Sequence, residues 1–314
     1  MKHIFLSMLH ALLWCFCIFF YVSSMEQKPC FTVVDSFSDD AVTQALAHAG
    51  PKTLVIYDID FVLTYPDDPL VLLLSSNDDR FAPQDRDVVA TMRSEFFERV
   101  HQKYCQYVEP NPWKFYGLKI IKYGYTCLIE PRIVHIIKDL QKRNIKIIAL
   151  TSSSLGKFGE MVRSTICYES LKALGIDFSS SFALDSEVRF LPTGTCDEAF
   201  QAFYKGIFFT CRNAKGDALR SFLLYIYETF KWLPDNIIFF DDHQENLLSV
   251  VGCMNAASIT CDAFLYQGAR ERYVVFDQKL MEQRLSALED LRWLSRDGVH
   301  GDEPRLDDSE FKKA

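Results

Sequence analysis

Four short stretches of the chain hold side chains that could do chemistry together. Asp58 and Asp60 stand two apart in Asp58-Ile59-Asp60-Phe61-Val62-Leu63. Thr151 opens a row of hydroxyls that continues through Ser152, Ser153 and Ser154. Lys215 is followed by Gly216, and Asp241-Asp242 is followed four residues later by Asn246. A carboxylate can act as a nucleophile, and a second one can serve as acid and then base. Hard carboxylate oxygens suit a small divalent cation. A hydroxyl and an ammonium can hold an anion whose charge is shifting. Nucleophile, cation and donors around equatorial oxygens are the parts that phosphoryl transfer needs.

These residues require elements that bring their side chains to one place. Leu54–Tyr57, Ile145–Leu150 and Asn236–Phe240 are apolar runs that end at Asp58, Thr151 and Asp241-Asp242. Such runs read as buried strands, and Asn255–Thr260 reads as a weaker fourth. Arg132–Arg143 puts Ile133, Ile136, Ile137 and Leu140 on one helical face, and Ala214–Phe230 and His243–Val251 also read as helices. Strands alternating with helices predict an α/β fold with a parallel sheet. Open parallel sheets receive ligands at the carboxyl ends of their strands, where these acids stand.

The four stretches, in this order, resemble the four motifs of the haloacid-dehalogenase-like (HAD) superfamily. The first resembles DxDx(T/V)L, the second a strand ending in Thr or Ser, the third a Lys opening a helix, the fourth a strand ending in two Asp with an Asn four residues beyond the second. The likeness spans roughly residues 50–260. More loosely, through Tyr204–Leu219 and Phe276–Leu294, the layout resembles exported bacterial HAD-like proteins of uncharacterised function. The resemblance implies a Rossmann-like HAD core with a parallel sheet and inserted cap segments. It implies Asp58 as the phosphorylated nucleophile and Asp60 as the acid that protonates the leaving oxygen and then activates water. Mg²⁺ would be held by Asp58, the backbone carbonyl of Asp60 and Asp242. Asp241 would orient the site from behind, the two acids being free to exchange roles, and Asn246 would support them. Thr151 and backbone N–H groups around Ile59 and Ser152 would bind a phosphate oxygen, and Lys215 would pair with Asp58 and the phosphate.

Each residue has a plainer reading when taken alone. An Asp at a strand end is often a cap or turn residue. Lys215 is an ordinary residue for a first helical turn, and Thr151 with its serines could be a polar turn. Joint order and strand-end placement carry the assignment. His101, His135 and His243 lack metal-ligand spacing, and Ser152–Ser154 lack a GxSxG context. Trp113–Tyr116, Tyr123 and Tyr125 could line a cap pocket, though such residues more often pack a core.

The chain has 314 residues, 49% hydrophobic and 24% charged, which allows one large domain or a core with an inserted cap. A formal net charge of −8 argues against nucleic acid as a partner. It leaves room for a small phosphorylated substrate beside a metal ion. Residues 1–24 read as a signal peptide. Lys2 and His3 precede the apolar stretch 4–22, and Val22-Ser23-Ser24 offers a cleavage site before Met25. Retention as a membrane anchor through residues 4–22 is the rival. Neither Cys15 nor Cys30 has the setting of a lipoprotein cysteine. Export, to the periplasm or the medium, would expose Cys30, Cys105, Cys127, Cys167, Cys196, Cys211, Cys253 and Cys261 to oxidation, and some would pair. A HAD-like domain is expected over residues 25–295, with cap insertions at about 65–128 and 155–212. These hold a helix near Arg86–Tyr107, a helix at Gly159–Leu174 and strand-like runs at Glu187–Leu191 and Ala202–Phe209. Asp277–Leu294 reads as an amphipathic helix and 296–314 as a flexible tail. The expectation is a Mg²⁺-dependent phosphohydrolase. The alternative is a catalytically silent binding protein on the same scaffold.

Overall fold

The computed structural model describes residues 30–289, except 67, 74–79, 105–125, 154, 156, 159–160, 185, 191–199, 271 and 275. The leader, the aromatic stretch from Trp113 to Tyr125 and the expected tail lie outside the described residues.

The chain opens with β1 (Thr32–Val34), α1 (Asp40–His48) and β2 (Thr53–Tyr57). A ribbon of β3 (Thr64–Pro66) and β4 (Thr126–Leu128) frames the first long insertion, which holds α2 (Pro69–Leu73) and α3 (Arg86–Tyr104). There follow α4 (Ile133–Lys142), β5 (Lys146–Thr151), a small β6–β7 hairpin (Lys157–Phe158 and Met161–Val162) and α5 (Arg163–Ala173). Then come β8 (Val188–Phe190), β9 (Gln201–Tyr204), β10 (Ile207–Phe209), α6 (Lys215–Phe230), β11 (Asn236–Asp241), α7 (Gln244–Ala256), β12 (Thr260–Tyr266) and α8 (Gln278–Glu289).

Eight strands form one sheet in the order β1-β12-β11-β2-β5-β10-β9-β8. The six from β1 to β10 run parallel, and β9 and β8 add an antiparallel edge. The central strands are continuous apolar runs because both faces are covered. Val55, Tyr57, Ile147, Ala149, Ile238 and Phe240 face one layer, where α1, α4 and α5 bring Val42, Ile137 and Leu171. Leu54, Ile56, Ile148, Leu150, Ile237 and Phe239 face the other, where α6 and α7 bring Leu219, Phe222, Leu247 and Val250. The molecule is thus a mixed α/β fold with a mostly parallel sheet between helical layers. From β2 the chain builds outward through β5 to β10, then returns through α6 to β11 on the opposite side of β2. The strand order reverses there, which opens a crevice at the carboxyl ends.

Three expectations need correction. The fourth strand does not occupy Asn255–Thr260. There α7 continues to Ala256, a turn with Ser258 at φ 59° follows, and β12 starts at Thr260. Asn255, Ala256 and Ala257 offer too little apolar area to compete with the helix. The run Ala202–Phe209 is a hairpin rather than one strand. Lys205 (φ 45°) and Gly206 (φ 84°) reverse the chain between β9 and β10, as a two-residue primed turn requires. A Cβ on Gly206 would lie 2.3 Å from the Phe178 Cβ, so the turn also needs glycine for space. Finally, β8, β9 and β10 all join the main sheet, so the second expected insertion contributes to the central layer. The strand β1 was not foreseen: three residues are too short to show a period.

Candidate active site

Asp58 stands one residue beyond β2. Its N–H donates to the Phe240 carbonyl at 2.9 Å, which extends the ladder and plants the side chain at the sheet edge. The chain then doubles back. The N–H groups of Leu63 and Thr64 both donate to the Ile59 carbonyl, and the Phe61 N–H donates to the Thr64 carbonyl. This turn holds Phe61 at φ 63°, uncommon for a bulky residue. Its ring lies under the Arg80 guanidinium, 4.0 Å from ring centroid to Cζ. Asp60, at the outside of the turn, is exposed. The Ile59 N–H donates to Asp58 Oδ1 at 2.8 Å, so this amide serves the carboxylate itself.

Lys215 opens α6 and is fully buried. Its Nζ donates to Asp241 Oδ2 at 2.7 Å and to Asp58 Oδ2 at 2.9 Å, tying two strand ends together. Gly216 explains how the ammonium gets there. Its N–H donates to Ser249 Oγ at 3.0 Å, and a Cβ would stand 2.2 Å from the Ser249 carbonyl oxygen. Only glycine lets the first turn of α6 press against α7 so closely.

The neighbouring acids behave differently. Asp241 is fully buried and fully used. Besides Lys215 on Oδ2, its Oδ1 accepts from the His243 N–H and from Asn246 Nδ2, both at 2.9 Å. Asp242 Oδ2 accepts from Arg80 Nη2 at 3.2 Å, with His243 Nε2 at 3.8 Å, but its buried Oδ1 has no partner. Asp58, Asp241 and Asp242 each place a carboxylate oxygen within 4.8 Å of the others.

Crowding three carboxylates at one buried point has an electrostatic consequence. Burial pushes the Asp58 carboxyl well above the usual range. Lys215 draws it down, and Asp241, Asp242 and Asp60 push it up again. Asp242 is pushed up to about 6, by burial first and then by Asp241, against the pull of His243 and Arg80. Burial alone would lower Lys215, but Asp241 and Asp58 outweigh it and raise it. One ammonium cannot balance the cluster. A divalent cation suits what remains: hard oxygens close together, and one buried carboxylate oxygen without a donor.

Thr151 closes β5, the strand beside β2, and is buried. Its Oγ1 accepts from the Ser153 N–H at 3.2 Å. Ser153 Oγ in turn accepts from Arg163 Nη2 at 2.6 Å. Every sequence-derived candidate thus lies on or just beyond the carboxyl end of a central strand, or in the first turn of α6 or α7. The sequence reading missed Arg80 and Arg163. Both lie in the insertions, far along the chain from the acids they face, and no local spacing marks them. Cys30, Cys167, Cys211, Cys253 and Cys261 are free thiols.

A family model described as a protein of unknown function (DUF2608) matches residues 34–299. The chain belongs to DUF2608. The matched region takes in all the residues of the site, together with Arg80 and Arg163. The DUF2608 chain is 26% identical over 203 residues to an uncharacterized protein of Rickettsia bellii (strain RML369-C), covering 63% of this chain and 61% of that relative. It therefore spans less than two-thirds of the relative's length. No solved structure matches the DUF2608 chain.

Proposed function

We propose that this protein is a Mg²⁺-dependent phosphohydrolase of HAD type, acting on a small phosphorylated substrate through an aspartyl phosphate on Asp58. The observation that carries the reading is the buried Lys215 joining Asp58 to Asp241, beside an Asp242 oxygen that has no donor. Most buried oxygens in a purely structural cluster find a partner.

The residues divide the work. Asp58, the backbone carbonyl of Asp60 and Asp242 would hold Mg²⁺, and the three hydrogen bonds already on Asp241 favour it as the orienting acid. When bound, the ion would supply positive charge to the phosphoryl oxygens. Lys215 opposes the rise in Asp58 and aligns it for attack on phosphorus. The Thr151 hydroxyl donates to a phosphoryl oxygen. Asp60, exposed at the outside of the turn where a substrate can reach it, holds a proton for the leaving oxygen and takes one from the attacking water afterwards. The reading extends to export, on the strength of the leader expected at residues 1–24. An intact Met1 on protein taken from the native cell would count against cleavage.

The test is a screen of leader-free protein with Mg²⁺ against phosphorylated metabolites. Turnover is expected, with loss of activity in chelator and in Asp58→Asn. If Asp58→Asn hydrolyses at the wild-type rate, the mechanism is wrong. If nothing in the panel is hydrolysed although Mg²⁺ binds, the scaffold is a binding protein.

A further inference from the structure

Arg163 is half-buried at the start of α5, with its guanidinium held by Ser153 Oγ at 2.6 Å, two residues beyond Thr151. A guanidinium carries five N–H donors, and this is its one hydrogen bond among the described residues. No described carboxylate closes an ion pair with it. Glu187, which reaches the next residue of α5, is already engaged: its Oε2 accepts from Ser164 Oγ at 2.8 Å and its Oε1 from Arg189 Nε at 2.9 Å. Cys167, one helical turn further, is no counter-ion, because burial pushes its thiol up to about 12. Ser153 in turn donates its N–H to Thr151 Oγ1 at 3.2 Å, which sets the guanidinium beside the end of β5, where the charge of Asp60 also reaches it. Yet the two remain apart, each without an ion-pair partner among the described residues. Opposite charges on flexible side chains would ordinarily close on each other. A cation left in low-dielectric surroundings without an anion is costly, and such arrangements mark places where the anion arrives with a ligand.

We propose that Arg163, held by Ser153, forms a subsite for a second anionic group on the leaving-group side of the substrate. The inference rests on the phosphohydrolase reading above, since Asp60 marks that side. It narrows the substrates to phosphomonoesters whose alcohol carries a further carboxylate or phosphate. The subsite recognises the anion through charge-assisted hydrogen bonds from a planar donor fork, which suits either group.

The experiment measures kcat/KM of the full leader-free protein with Mg²⁺ on matched pairs: glycerol 3-phosphate against 3-phosphoglycerate, and glucose 6-phosphate against glucose 1,6-bisphosphate. The first pair adds a carboxylate and the second a phosphate, so the preferred pair tells which anion is used. Wild type should favour the anion-bearing member of at least one pair by about tenfold or more. Arg163→Gln should erase that preference; any effect passed on to Asp60 falls on both members of a pair alike, so the ratio of the two kcat/KM values is the readout. Arg163→Lys should keep part of it, and Ser153→Ala, which only frees the guanidinium, should weaken it in the same direction. No preference in wild type, or an equal loss on both members of a pair in a variant that melts like wild type, overturns the subsite. No turnover of any member overturns the phosphohydrolase reading and the subsite with it.

Discussion

The two oxygens of Asp242 have different fates, and much follows from that. Arg80 takes Oδ2 and leaves Oδ1 buried and free, whereas Asp241 has both oxygens committed. Asp242→Asn should therefore weaken Mg²⁺ binding by more than the roughly 10–100-fold typical of an orienting residue. Asp241→Asn should instead cost stability, about 3–5 kcal/mol, because it breaks a buried pair with Lys215. Calorimetric titration and urea unfolding of the two variants check the ranking; the reverse order would exchange their roles. The pH dependence has a definite sign. Asp242 sits at about 6 in the folded chain, against about 4 in an unfolded one. Between these values the folded state holds a proton that the unfolded state has released. Stability from this group in metal-free protein is therefore greatest at low pH and declines as pH rises through that window. In chelator, Asp242→Asn should flatten the fall in melting temperature between about pH 4 and pH 6; an unchanged profile would show that Asp242 does not titrate there.

Among the elements, α6 is the one whose position decides most. It carries Lys215 at its first residue and buries Ala218, Leu219, Phe222, Leu223 and Ile226 against the sheet and α7. Because Gly216 meets the Ser249 carbonyl, the two helices are locked at their closest point. Gly216→Ala should push α6 away from α7, costing about 1–3 kcal/mol as overpacking does. It should also lower kcat, since Lys215 moves with the helix. A variant with wild-type unfolding and wild-type kcat would show that the contact yields freely. The turn after β2 is the matching device on the other side, where Phe61, at φ 63° with its ring beneath Arg80, reverses the chain and Asp60 stands exposed.

For the molecule as a whole, the Mg²⁺ proposal implies that metal binding and folding are linked through the buried acidic cluster. A ligand that binds only the folded state at one hundred times its Kd adds about 2.7 kcal/mol. Mg²⁺ should raise the melting temperature of wild type on that scale, and Asp58→Asn with Asp242→Asn should abolish the increment. Equal increments in wild type and the double variant would place any Mg²⁺ effect elsewhere. The chain's net charge of −8 would repel a phosphorylated substrate at long range, so capture depends on local cations: the ion, Lys215 and, on the proposal above, Arg163.

What the sequence alone determines here is local in origin. Leu54–Tyr57, Ile145–Leu150 and Asn236–Phe240 are readable as strands because a strand covered on both faces must be apolar at every position. Asp58, Thr151 and Asp241-Asp242 are readable as site residues because they interrupt those runs at the end where parallel sheets receive ligands. The tertiary structure decides the rest. It pairs Arg80 with Asp242 across 162 positions of sequence, gives Asp241 partners on both oxygens and Asp242 on one, sets β10 beside β5, and seats Arg163 on Ser153. Backbone periods of 2 and 3.6 residues repeat within a few positions and so appear in composition. The partner of a long, flexible arginine depends instead on which distant segments the closed chain brings near, and no pattern within a few residues records that.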